Sequence, residues 1–278
     1  MRRIDNPAIA AAAASRFRSE YDYALFEYLR SAKVIEALER AGVSIGGRVL
    51  DAGCGGGGTA LSLAEEAGFA VGLDLEARFR NSGTRLAREK AIGNAGFLQA
   101  DGTRLPFRDG CFDLVFSHSV IEHVGSALEY LRECRRVLRP GGVLYLSTAP
   151  FLSFAGAHLP RLLLPIPLHI LLGRKLAFAV FRWLARHAPW TLHEPREANT
   201  FIALAAQGKQ KQDDLLQKVT VRRLGRWIEG SGLRLVREDR HLTGFFRALP
   251  GALRRLLESL PVTRDVMIGH IQCVLEKP

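Results

Sequence analysis

The chain has 278 residues, of which 47% are hydrophobic and 24% charged. That balance describes a folded globular protein and excludes intrinsic disorder, which needs fewer apolar residues and more net charge. The net charge of +11 is unevenly placed: residues 1–150 hold 19 basic and 18 acidic side chains, residues 151–278 hold 20 and 10. Charge sorted in this way points the second half toward something anionic, whether a membrane surface, a phosphorylated substrate or RNA.

Cys54, Cys111, Cys134 and Cys273 are widely spaced, with no CxxC pair. They read as reduced thiols of a cytosolic protein, and no metal site is expected on them. Met1-Arg2-Arg3 followed by Ala8 to Ala14 has a superficial likeness to a secretion signal. Asp5, Asn6 and Pro7 interrupt it, and a charged amphipathic stretch follows at once. No uninterrupted apolar run reaches the length of about 18 residues needed to span a bilayer.

Residues 15–41 predict one or two helices laid across a sheet. From Arg48 onward, strand-like and helix-like segments alternate, as in a parallel sheet with crossover helices. Strands are expected at 49–51, 70–74, 96–100, 112–117 and 143–147, with helices over 59–67, 76–90 and 126–138. The last of these helices stops before Pro140-Gly141-Gly142. After a long irregular region the pattern resumes with a helix over 221–230 and strands at 233–238 and 268–276.

Asp51-Ala52-Gly53-Cys54-Gly55-Gly56-Gly57-Gly58 falls at a strand-to-helix turn, where glycines let the backbone turn tightly and approach a ligand. Gly53-x-Gly55-x-x-Gly58 also satisfies a dinucleotide fingerprint, with Asp74 near the distance expected of a ribose-binding acid. Asp51 ends the strand itself, however, where its carboxylate would repel a pyrophosphate.

Together with that loop, Gly72-Leu73-Asp74-Leu75-Glu76, Leu98 to Gly102 with Leu105-Pro106-Phe107, Phe112-Asp113-Leu114-Val115, Ile121-Glu122-His123-Val124 and Arg136 to Gly142 form an ordered series. The series resembles the class I S-adenosylmethionine (SAM) dependent methyltransferases, type 11 family, which includes ubiquinone/menaquinone C-methyltransferase-like enzymes. The resemblance covers about residues 45–150. It implies a Rossmann-like α/β sheet of seven strands, the last antiparallel, and SAM as cofactor.

Carried to these positions, it implies that Asp51, Gly53, Gly55 and Gly57 face the methionine part of SAM. Asp74 would bond the ribose hydroxyls, and Asp101 the adenine amino group, between walls formed by Leu75 and Gly102. Ser117 and His118 would line the methyl-transfer site. Asp74 and Asp101 also fit the plainer role of helix or turn caps. For a hydroxyl acceptor the candidate catalytic bases are His118 and His123, with His158 a further candidate from the second half. His123 could equally be a helix-start residue, and His118 a loop residue.

The segment after the fourth strand, Ser117-His118-Ser119-Val120, is not the Asn/Asp-Pro-Pro-aromatic run of exocyclic-amine methyltransferases, and no Pro-Cys pair offers a thiol nucleophile. Both absences make nucleic acid an unfavoured substrate despite the charge.

The expected organisation is a helical cover (1–44), a SAM-binding core (45–150), a basic apolar helical cap (151–218) inserted after strand five, and a completion of the sheet (219–278) with a helical insertion at about 245–262. Over 171–187, Leu172, Leu176, Val180, Trp183 and Leu184 share one broad helical face while Lys175, Arg182 and Arg186 cluster on the other. That pattern fits either a lid packed on its own protein or a helix lying in a membrane interface. The two insertions are expected to meet over the site. The resulting expectation is methyl transfer to a small-molecule acceptor, lipid-like, quinone-like or a lipid-linked sugar, with peripheral contact to an anionic membrane. An RNA methyltransferase and a non-catalytic SAM-binding regulator are the alternatives.

Overall fold

The computed structural model describes residues 4–16, 18–154, 156, 159, 162, 167–192 and 217–278. Its seven strands are β1 (Arg48–Ala52), β2 (Phe69–Asp74), β3 (Ala95–Gln99), β4 (Phe112–His118), β5 (Leu138–Thr148), β6 (Arg234–Leu242) and β7 (Ile268–Glu276). They form one sheet in the order β3-β2-β1-β4-β5-β7-β6. β1 to β5 pair in parallel, and β7 runs antiparallel between β5 and β6. The strand order therefore reverses between β1 and β4, the position at which open α/β sheets leave a crevice beyond their carboxyl ends.

Helices cover both faces, so the central strands are continuous apolar runs with little alternation, as β4 shows in Leu114, Val115 and Phe116. On one face α1 (Asn6–Ser15) packs on α2 (Glu20–Arg40), which lies with α3 (Gly58–Ala64) and α4 (Ser82–Glu89). Ile35, Leu38, Leu61, Leu63 and Leu86 fill the space beneath them. On the other face α5 (Ala127–Val137) and α8 (Val221–Ser231) bury Tyr130, Leu131, Leu224 and Ile228. Local signals fix the helix ends. Ser19 caps α2 by accepting from Asp22 N, and Ser126 caps α5 by accepting from Glu129 N. Gly232, at φ +75°, ends α8.

Three elements differ from expectation. The helix anticipated over 76–90 is a 3-10 turn (Ala77–Arg80) followed by α4. Ser82 Oγ donates to Arg78 O and Gly56 O, a back-bond that competes with a continuous helix. The fifth strand starts at Leu138 and not at Val143, because a register shift between Phe112 and Leu114 accommodates Pro140-Gly141-Gly142 inside the ladder. The helix anticipated over 171–187 is interrupted at Gly173, φ +73°, giving α6 (Leu168–Leu171) and α7 (Gly173–His187).

α7 buries Ala177, Phe178, Phe181 and Ala185, and a small cluster joins Phe181 and Ala185 to Leu192, Leu159 and Leu162. Between β6 and β7 lie α9 (Gly244–Arg247), α10 (Gly251–Ser259) and α11 (Pro261–Met267). His158 and residues 193–216 of the anticipated cap lie outside the described residues. No helix among the described residues is long and apolar enough to cross a membrane.

Candidate functional site

The crevice is built from the ends of β1, β2 and β4. Gly53, Gly55 and Gly57 have φ of +93°, +52° and +88°, values that L side chains adopt only under strain, and a Cβ on Gly53 would stand 2.2 Å from Val120 Cγ2. The loop is thus folded back on the turn that follows β4. Gly53 N and Cys54 N both donate to Leu73 O, at 2.7 and 2.9 Å, which ties the loop to β2. Asp74 completes the tie. Its Oδ2 accepts from Gly55 N at 2.8 Å and its Oδ1 from Glu76 N at 2.9 Å.

Asp51 is only 2% exposed, and its Oδ2 has no hydrogen-bond partner among the described residues. Burial raises its carboxyl well above the ordinary carboxylate range, and the charges of Glu27 and Asp74 push it the same way. A buried carboxyl near two more carboxylates suits a positively charged ligand. Burial likewise drives the Cys54 thiol far up, with Asp51 and Asp74 adding to the shift, so this cysteine sits in the loop as a neutral thiol.

The remaining expected residues divide by surroundings. Leu75 is 68% exposed beside Asp74, an apolar surface open to a ligand. Asp101 Oδ1 accepts from Thr103 N and Thr103 Oγ1, both at 2.8 Å, so the carboxylate organises its own turn at the end of β3. Gly102 is held close by packing, since a Cβ there would meet the Tyr130 ring at 2.9 Å. Ser117 is fully buried and its Oγ accepts from Tyr130 Oη at 2.7 Å, so its side chain turns into the core and only its backbone is left to line a ligand.

His118 ends β4 opposite Ser147 of β5. The turn after it is sharp: Ser119 has φ +56°, and its N donates to Ser147 O at 2.8 Å. The His118 ring lies 5.5 Å from that of His270 on β7, and His270 Nε2 is 2.5 Å from Ser147 Oγ. Burial, aided by Arg30 and His270, lowers the His118 pKa to about 3. Burial, aided by His241 and Arg30, lowers that of His270 to about 4. Both rings are neutral at pH 7 and too weakly basic to retain a proton there. They suit orienting a hydroxyl better than deprotonating it. His123 lies in the turn after β4, where its N donates to Val120 O at 2.8 Å, beside Glu122, whose carboxyl is raised above the ordinary range by burial. Glu122 is itself buried and accepts from Thr148 Oγ1 at 2.9 Å.

Sequence reasoning did not single out Glu27, Arg30, Tyr130, Ser147 or His270. The first two sit three apart on an amphipathic helix, and nothing local distinguishes them from solvent-facing charge. His270 gains its neighbours only through the insertion of β7 between β5 and β6.

Residues 50–146 match the family described as "Methyltransferase domain". That segment, about a third of the chain, is similar to the methyltransferase domain. A ubiquinone biosynthesis O-methyltransferase of Sodalis glossinidius is 31% identical over 138 residues, which are 50% of this chain and 55% of that protein. A demethylmenaquinone methyltransferase of Beutenbergia cavernae is 34% identical over 46% of this chain and 54% of its own. The chain therefore spans about half the length of these curated relatives. A SAM-dependent methyltransferase from Aquifex aeolicus shares the fold, with a TM-score of 0.53 at 14% identity over 95% of this chain and 98% of that one. SAM is the cofactor of the domain.

Proposed function

We propose that the protein transfers the methyl group of SAM to a small, largely apolar acceptor of the quinol type, presented at an anionic membrane surface. The cofactor part rests on the orphaned buried oxygen of Asp51. SAM carries an ammonium and a sulfonium and no phosphate, so it supplies the positive charge that Asp51 and Asp74 call for, whereas a dinucleotide would bring more negative charge. Asp51 and the Gly53–Gly57 backbone would hold the methionyl end, Asp74 the ribose, and Leu75, Asp101 and Gly102 the adenine. When bound, SAM supplies an electrophilic methyl. The chain's own contribution is alignment: it fixes the acceptor atom in line and excludes water.

His118, at the end of β4, is the residue we assign to orienting the acceptor hydroxyl, with His123 as the second candidate. The acceptor class is supported by two features: the relatives named for ubiquinone and menaquinone methylation, and the apolar surface exposed on α7 and α10. The test is S-adenosylhomocysteine formation from SAM with three acceptors in parallel: reduced demethylmenaquinol in anionic vesicles, a water-soluble catechol, and total RNA. Turnover with the quinol above the other two is expected. Turnover with RNA alone would replace this reading by the nucleic-acid one.

A further inference from the structure

The helix that precedes the matched domain sets a carboxylate against the start of α3, beside the glycine loop. α2 lies so close to the glycine loop that a Cβ on Gly58 would stand 1.9 Å from Ala24 O, and Ser31 Oγ is 2.9 Å from Thr59 Oγ1. At this contact Glu27 Oε2 accepts from Arg30 Nη2 at 2.8 Å and from Thr59 Oγ1 at 3.3 Å. Its other oxygen, Oε1, is buried without a hydrogen-bond partner among the described residues, as is Oδ2 of Asp51. Two carboxyl groups from different elements thus each leave one oxygen bare, and Glu27 is close enough to act on Asp51 electrostatically. Buried carboxylate oxygens are costly unless a donor or a cation meets them. Arg30 offsets the Glu27 charge from the opposite oxygen and leaves Oε1 without a donor.

We infer that Glu27 and Asp51 jointly bind the methionyl ammonium of SAM, which makes α2 part of the cofactor site. The inference rests on SAM being the ligand of this crevice and adds a residue from outside the matched segment. It also carries a consequence for dynamics. A ligand with the ammonium steadies α2 in its place on the loop, whereas one that lacks it leaves α2 as it was.

Calorimetry on the full chain tests this with two ligands, S-adenosylhomocysteine, which keeps the amino acid end, and 5′-methylthioadenosine, which lacks it. Glu27→Gln preserves the size of the side chain and an acceptor for Arg30 and Thr59. It is expected to weaken S-adenosylhomocysteine at least tenfold while changing 5′-methylthioadenosine by less than twofold. Equal weakening of both ligands, or of neither, overturns the assignment. A wild type that binds neither ligand removes the SAM reading itself, and the assignment falls with it. Hydrogen exchange on the unmodified protein covers the case in which the variant does not fold. S-adenosylhomocysteine should slow exchange across residues 20–30 and 5′-methylthioadenosine should not. Unchanged exchange with a saturating amount of the first ligand counts equally against the assignment.

Discussion

Asp74 holds two backbone donors of the loop region, Gly55 N and Glu76 N, whereas the Oδ1 of Asp101 is engaged by a single neighbour, Thr103. The two acids therefore differ in what their loss removes. Asp74→Ala takes away both the tether of the glycine loop and the carboxylate proposed for the ribose, each a charge-assisted bond. A loss of about 1.5–3 kcal/mol in affinity is expected, or roughly ten- to a hundredfold. Calorimetry with S-adenosylhomocysteine reads it directly, and unaltered affinity in the variant would remove Asp74 from the site. The placement of these acids and glycines at strand ends was legible from the order of strands and turns, and their roles toward a ligand are those the family resemblance implies. Ser117 shows the limit of that legibility. Its position at the end of β4 was evident from the apolar run before it. That its hydroxyl points at Tyr130 follows from the strand's alternation against α5, which only the packed sheet reveals.

At the scale of elements, β4, β5 and β7 bring together His118, Ser147 and His270 on the sheet face that α2 covers in part, with Arg30 of α2 acting on both imidazoles. The folded values, about 3 for His118 and about 4 for His270, lie below the ordinary 6.5 of the unfolded chain. Between those limits the unfolded state binds more protons than the folded one. Stability is therefore complete above about pH 6.5 and declines as pH falls toward 4. For His270 alone the decline between pH 7 and pH 5 is about 2 kcal/mol. Denaturant unfolding at the two pH values should show it, and His270→Gln, which can still bond Ser147, should flatten the slope. An identical slope in that variant would mean that the ring is protonated freely in the folded protein. The strands themselves were readable from buried runs and their spacing, and the reversed direction of β7 was implied by the family resemblance alone. The irregularities were not. The interruption of the fourth helix depends on Ser82 Oγ reaching Gly56 O, and the early start of β5 on a bulge opposite Phe112. Both are long-range choices that periodicity does not encode.

For the molecule as a whole, the basic excess of the second half meets an unusual distribution of apolar surface. α7 buries its face of small and aromatic residues, Ala177, Phe178, Phe181 and Ala185, and turns Leu172, Leu176 and Trp183 outward at 41%, 54% and 58% exposure. The separate basic face expected from the sequence is not found: Lys175, Arg182 and Arg186 are exposed on the same side, because Ala177, Phe178, Phe181 and Ala185 take the buried face, and leucines, tryptophan and cations share one outward arc. α10 repeats the combination, with no buried residue, Leu253 and Leu256 exposed, and Arg254 and Arg255 between them. Packing against the protein's own core explains the inner face of α7 and leaves the outer one without a reason. An anionic bilayer supplies one, since each cation near its surface contributes about 1 kcal/mol and the apolar stripe gains burial at the acyl boundary. The protein is therefore expected to sediment with vesicles containing anionic lipid at low salt, to leave neutral vesicles largely unbound, and to be released at about 1 M salt, where the screening length falls to about 3 Å. Changing Lys175, Arg182 and Arg186 together to Glu reverses the attraction without touching β1, β2 or the glycine loop. It should abolish sedimentation while leaving the affinity for S-adenosylhomocysteine within twofold. If the wild type stays in the supernatant with anionic vesicles at low salt, the outward arc is not a membrane surface. The quinol-type acceptor would then have to reach the crevice from solution.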